Sequence, residues 1–286
     1  MDIDSYTVAI MNLFSGAEVA LSREQSKITS ICSAIAPYVC KIIFSGDPTS
    51  SNGCILAAII EGFLRITLCK FGCKNGRWTT CWKEELFDIA FCNGDLYGLS
   101  YSRNLVKFEI GIQGDCMLVV TAIQRLAIER PTWYHDVRTH ISHIFELHGK
   151  PSMAVKKSWL PNLDHFFKVF KLVDADADEA YTHKWEEVTS LGDYTLFIGP
   201  TRSKAVHVPV SAEQRGLERN HLYYTKYTCS LVNKLPHDAV YSVTSNHSHK
   251  IHMYCKNDQC FEDGMQRTGY YVTSWNYAMW VHPPDM

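Results

Sequence analysis

The densest run of potential ligands is His247-Ser248-His249-Lys250-Ile251-His252, followed by Cys255 and Cys260. On an extended chain His247 and His249 share one face and His252 points to the other. Imidazole and thiolate are the groups zinc prefers, but a zinc centre needs four that converge. This spacing matches no standard finger, so the run is read as solvated side chains and not as a metal site. Asp174, Asp176 and Asp178 alternate like the first ligands of a calcium loop. Such a loop then needs Gly at its sixth position and Glu at its twelfth, where this chain has Glu179 and Trp185. A solvated acidic turn is the expectation. His135, His140, His143 and His148 crowd one segment. No Gly-x-Ser-x-Gly elbow, phosphate loop, His-Glu-x-x-His or dinucleotide glycine pattern accompanies them.

The cysteines number eleven, so they cannot all pair within one chain. Cys54, Cys69, Cys92 and Cys116 lie in strand-like runs and are read as small buried hydrophobes in a reducing compartment, not as a disulfide framework. The spacing Cys69-x3-Cys73 with Cys81 fits neither a common zinc pattern nor a CxxC redox pair, which leaves buried or loop thiols. The sequence therefore nominates no catalytic, cofactor-binding or metal-binding residue.

The elements around these residues are strands. Lys184 to Gly199 reads as two short strands about the turn Leu191-Gly192-Asp193. Its unbroken run Leu196-Phe197-Ile198 fits a strand buried on both faces. Val206, Val208 and Val210 alternate in the next strand, and His221 to Thr225 makes a fourth. Four strands in about 40 residues is the size of one β-propeller blade. The unit recurs upstream as Arg77 to Trp82, Leu86 to Phe91, Leu96 to Leu99 and Asn104 to Ile110. Asn93-Gly94 between apolar runs is a strong hairpin signal. Trp78 and Trp185 recur at matching places and are read as packing residues.

Further strands are expected over 6–13, 39–44, 54–60, 63–69, 152–159, 239–244 and 250–255, with one or two over 116–128. The stretch 131–150 is expected to be an irregular or short helical insertion. The sum is an all-β, kelch-like β-propeller over residues 1–286, of about five blades with four antiparallel strands each. An incomplete ring is the alternative. A formal charge of −2 without a long Lys/Arg run gives nucleic acid little to bind. The acidic start Met1-Asp2-Ile3-Asp4 lacks the basic opening of a signal peptide, and Cys54 to Ile60 is too short an apolar run to span a bilayer. A soluble intracellular protein, cytoplasmic or nuclear, is the expectation.

Several segments in order carry a family likeness. They are Asn12 to Val19, Lys41-Ile42-Ile43-Phe44-Ser45-Gly46-Asp47-Pro48, Phe87 to Phe91 with Gly94-Asp95-Leu96-Tyr97, Phe167 to Leu172 with Trp185 to Gly199, and Met279-Trp280-Val281-His282-Pro283. In these the chain resembles the plant F-box-associated KIB-type β-propeller family, over nearly its whole length. Members of that family commonly begin with an F-box, the helical module that binds the Skp1 subunit of a cullin ubiquitin ligase. Nothing in this sequence resembles an F-box. The resemblance thus implies the substrate-recognition part of such an adaptor: a non-enzymatic propeller whose loops bind a partner protein, with Skp1 binding not expected. A propeller-based hydrolytic or metal-dependent enzyme is the competing expectation, and a truncated paralogue without stable function is a third.

Overall fold

The computed structural model describes residues 5–7, 10–11, 18–19, 22–25, 27–29, 39–46, 53–60, 65–73, 76–81, 84–101, 104–129, 141–157, 166–176, 181–199, 203–210, 218–225, 238–242, 252–254, 271–273 and 278–280. The chain divides into two compact units, Met1–Leu126 and Ala127–Met286.

Unit 1 opens with short strands. β1 (Ser5–Thr7) pairs with β4 (Lys27–Thr29), and β2 (Ile10–Met11) pairs with β3 (Glu18–Val19). Two four-stranded sheets follow. The first runs β5 (Val39–Phe44), β6 (Ile55–Ile60), β7 (Arg65–Lys70) and β8 (Thr79–Cys81) in sequence order. The second runs β9 (Leu86–Cys92), β10 (Asp95–Ser100), β11 (Leu105–Gln113) and β12 (Met117–Arg125). Both are antiparallel throughout. The turn joining β9 to β10 is Asn93-Gly94, with φ of 49° and 83°. Two positive values in succession match the right-handed twist of the flanking strands, and Asn and Gly tolerate them best. Ile59, Ile66, Leu68, Leu86, Ile89, Leu96, Val106 and Phe108 form one buried core.

Unit 2 holds two five-stranded sheets. The first is built on β14 (Ile141–Leu147), β15 (Lys150–Lys157), β16 (Phe166–Asp174) and β17 (His183–Val188), with β13 (Ile128–Glu129) added parallel to β17. The second has the order β19-β18-β20-β21-β22, from β18 (Tyr194–Ile198), β19 (Ser203–His207), β20 (His221–Thr225), β21 (Asp238–Ser242) and β22 (His252–Tyr254). β23 (Tyr271–Thr273) and β24 (Ala278–Trp280) pair with each other. Phe145, Ala154, Val169, Leu191, Leu196, Ile198 and Leu222 make the core of this unit. The run Thr195 to Ile198 is buried at every position, as an apolar strand covered on both faces must be.

Four sheets of blade size thus stand among the described residues where about five four-stranded blades were expected. The strands fall where the sequence places them, but the sheets begin one strand later. Trp78 leads into β8, which pairs with β7 in the register Ile66↔Cys81 and Leu68↔Thr79. Trp185 lies in β17, opposite Leu172 of β16. Each tryptophan strand closes the preceding sheet and does not open the next. The preceding strand had the complementary pattern; the intervening polar loop hid the hairpin. Nor is the last large sheet wholly antiparallel. β20 runs parallel to β18, which the long 208–220 connection permits, since parallel neighbours need a crossover of about a dozen residues.

The irregular insertion expected over 131–150 is corrected in its second half. Residues 141–147 are β14, paired with β15 from Ile141↔Lys156 to Leu147↔Lys150. The turn is His148-Gly149, with φ of 53° and 74°. It repeats the Asn-Gly geometry with a residue less often used there, so its signal was weak. Residues 131–140 lie outside the described residues. The all-thiol reading is also corrected, because Cys73 and Cys116 are joined by a disulfide. Cys116 is the last residue of the β11–β12 turn and not a strand position. Cys54, Cys69 and Cys92 are buried and outside any disulfide, as small buried hydrophobes are.

Candidate interaction surface

A cluster of surface polar and aromatic side chains forms at one end of the last large sheet in unit 2. Two turns build it. In the first, Gly192 takes φ 59°, and Tyr194 N–H closes the turn on the Leu191 carbonyl at 3.1 Å. In the second, Asn220 takes φ 57°. Its side-chain oxygen accepts the Leu191 N–H at 2.7 Å, and its own N–H donates to the Tyr194 carbonyl at 2.8 Å. Leu191 is buried beneath them as an apolar anchor. Below the surface, the Thr195 hydroxyl donates to the Glu218 carbonyl. The ends of β18 and β20 are therefore fixed to each other by backbone and side-chain bonds.

On this frame Tyr194 stands between two imidazoles. The His148 ring meets it edge to face at 4.7 Å and the His207 ring at 5.5 Å between centroids. His207 faces Tyr194 across the β18–β19 ladder, and His148 comes from the β14–β15 turn. Arg219 donates from Nε to the Val208 carbonyl at 3.0 Å and from Nη1 to the Asp193 carboxylate at 2.9 Å. Both ring nitrogens of His221 face acceptors: Nδ1 the Arg219 carbonyl at 2.6 Å and Nε2 the Glu218 carboxylate at 3.0 Å. The set combines aromatic faces, a pre-oriented guanidinium and carboxylates. Such groups recognise a partner by stacking and charge-assisted hydrogen bonds.

The other sequence candidates are placed apart. Asp176 pairs with Lys184 at 2.8 Å, and that neighbour holds its carboxyl below the usual carboxylate range. Asp174 lies 3.8 Å from His183. Both are hairpin contacts across β16 and β17, and Asp178 lies outside the described residues. His143 is buried in β14. His247, His249, Cys255 and Cys260 lie outside the described residues, as do His135 and His140, and of the His252 side chain nothing is described. Among the described residues no group of three or more His, Cys, Asp or Glu could hold a metal, and no helix is long and apolar enough to cross a membrane. Trp78 is half-buried against Cys54, Leu56, Cys69 and Phe71 and donates its indole N–H to the Gln25 carbonyl at 2.8 Å.

Sequence reasoning missed one feature of unit 1. Lys41 of β5 and Asp88 of β9 form an ion pair whose side chains are 3% and 5% exposed. Asp88 also accepts the Ile89 N–H at 2.8 Å. The signal was present: each is a charge in the middle of an apolar strand, which persists only when paired.

A family model described as KIB1-4 beta-propeller matches residues 1–256. The chain belongs to that family. The segments Lys41 to Pro48, Phe87 to Tyr97 and Trp185 to Gly199 are thus parts of a KIB1-4 propeller, and the resemblance read from them holds. In this KIB1-4 chain they supply Lys41 and Asp88 to the buried pair and Asp193 and Tyr194 to the exposed cluster. No curated protein matches the chain. Among solved structures, the crystal structure of the N-terminal domain of Nup159 aligns with 10% identity and a TM-score of 0.32, covering 88% of this chain and 74% of that one. A likeness that slight supports no inference about the KIB1-4 chain.

Proposed function

We propose that this chain is a non-enzymatic protein-interaction propeller that serves as the substrate-recognition part of an F-box-type ubiquitin-ligase adaptor, acting inside the cell. Family membership supports the propeller, and the place of Trp78 beside and Trp185 within the fourth strand of their antiparallel ladders supports a kelch-like blade. The observation that carries the reading is the cluster His148–Tyr194–His207 beside Arg219–Asp193. Tyr and Arg held on a rigid base are the residue types that dominate interface energetics, because they bury large area at small entropic cost. The partner is a protein whose surface offers carboxylates and an apolar or aromatic side chain.

The test is a saturable binding assay against partners recovered from cell extract, repeated with Tyr194→Ala and Arg219→Ala. Each change is expected to weaken binding by about tenfold or more, corresponding to about 1.4 kcal/mol. Unchanged affinity in both variants would move the interface elsewhere. Direct, saturable binding of Skp1 by residues 1–286 would overturn the division of labour proposed here.

A further inference from the structure

We propose that Cys73 and Cys116 form a reversible thiol–disulfide site, oxidised by small disulfides of the glutathione class, that clasps the β11–β12 hairpin tip to the β7–β8 connection. The bond spans 43 residues of sequence with the Cα atoms 6.2 Å apart. Both residues are partly exposed, so a small thiol or disulfide can reach them. Cys54, Cys69 and Cys92 are buried, and Cys81 is partly exposed but lies in no disulfide. Burial pushes the Cys69 thiol up to about 12, which leaves it without the thiolate that exchange requires.

Each sulfur sits on backbone that other bonds hold. The Cys73 carbonyl accepts the Gln25 side-chain amide at 3.1 Å and the Gly76 N–H at 3.0 Å. Gln25 is 4% exposed and donates as well to the Lys70 carbonyl at 2.9 Å. Gly76 lies so close to this amide that a Cβ would come within 2.7 Å of it and of the Lys70 carbonyl. On the other side, the Cys116 N–H donates to the Gly114 carbonyl at 3.0 Å, within a turn closed by the pair Gln113↔Met117. The Thr79 hydroxyl donates to the Leu118 carbonyl and holds β12, just past the turn, to β8. Reduction therefore leaves the two thiols facing each other across a preserved gap. Such a pair re-forms its bond intramolecularly, at high effective concentration.

The exchange balances without another reactant. One cysteine thiolate attacks a sulfur of the donor disulfide, forms a mixed disulfide and expels the first donor thiolate. The second cysteine thiolate attacks the protein-side sulfur and expels the other. Two protein thiols lose two electrons and two protons, and the donor disulfide gains both. The consequence falls on the hairpin tip, where Ile112 is 58% and Met117 37% exposed. Oxidation adds a covalent tie to the turn that carries these apolar side chains, and reduction removes that tie while the hydrogen bonds keep the two thiols close.

The experiment equilibrates the full chain in glutathione buffers from fully reduced to fully oxidised, traps thiols by alkylation, and locates them by peptide mass spectrometry. Cys73 and Cys116 should gain and lose the label together in one two-electron transition, while Cys54, Cys69 and Cys92 stay unlabelled in the native protein. The oxidised form should melt about 5–10 °C above the reduced form. Cys73→Ser and Cys116→Ser should each abolish that difference. A bond that persists in excess reduced glutathione while the protein remains folded would make it a permanent cross-link, and one that never forms in excess oxidised glutathione would remove the site. Either result overturns the proposal.

Discussion

The two units carry similar antiparallel ladders, but unit 1 adds a buried ion pair to its surface pairs, whereas the β16–β17 pairs of unit 2 stand at the surface. In unit 1 the pair Lys41–Asp88 bridges β5 and β9 at 3% and 5% side-chain exposure. In unit 2 the lysines of β16 pair on the surface with glutamates of β17: Lys168 with Glu187 at 2.8 Å and Lys171 with Glu186 at 3.3 Å, at 32% to 53% exposure. Water competes for the surface pairs and salt screens them. Neither shields the buried pair, so each of its members depends on the other. Placement, more than the number of pairs, decides which charges the fold requires.

Removing one partner separates the two cases most sharply. Asp88→Ala leaves the Lys41 ammonium buried without its carboxylate and is expected to destabilise the chain by about 3–5 kcal/mol. Glu187→Gln in unit 2 should cost less than about 1 kcal/mol, and that loss should shrink in high salt. Urea unfolding of both variants makes the comparison. Replacing both members, Lys41→Met with Asp88→Leu, should restore much of the loss, because the burial of charge is then gone. An Asp88→Ala cost no greater than that of Glu187→Gln would erase the distinction.

Two glycines give a second contrast. Gly98 in β10 is a packing residue: a Cβ there would meet Leu86 at 2.9 Å and Phe108 at 3.0 Å, both in the unit 1 core. Gly192 has open space around it but takes φ 59°. Gly98→Ala is expected to cost about 1–3 kcal/mol through overpacking. Gly192→Ala should cost about 1 kcal/mol through the left-handed backbone alone. Asn at 192 distinguishes the mechanisms, since it tolerates that conformation and should recover part of the loss.

These glycines also show what was legible in the sequence. Gly94 and Gly192 announce turns by their neighbours, and both turns are present. Gly98 looks unremarkable within a strand, because its role depends on Leu86 and Phe108, side chains that meet it only after pairing. The strands themselves follow from local apolar runs, so β5, β6, β7, β9, β10, β15 and β18 were readable. Their grouping was not, since the partner of β8 or β17 is fixed by register with a strand across a polar loop. The exposed cluster was half legible. Asp193 and Tyr194 belong to the stretch that organises unit 2, but Arg219 and His207 join them through the parallel placement of β20 and the β19 ladder.

The smallest effect tests whether surface pairs in unit 1 behave like those in unit 2. Lys107 donates to Asp95 at 2.6 Å across β10 and β11, with side chains 30% and 48% exposed. That hydrogen bond raises the Lys107 ammonium above its ordinary value of 10.5. A cation whose folded value is raised contributes stability that is fully present below the unfolded value and is lost as pH rises through the folded one. The window is therefore alkaline, above about pH 10. The Tyr97 ring centroid lies 5.9 Å from the Lys107 nitrogen, and burial raises its phenol as well, so its titration would overlap. A Tyr97→Phe background removes that overlap. In it, Asp95→Asn should cost no more than about 0.5 kcal/mol near neutral pH, and the gap should close as pH passes above the lysine range. A gap that persists unchanged at high pH would show that Asp95 supports the hairpin through something other than the Lys107 charge.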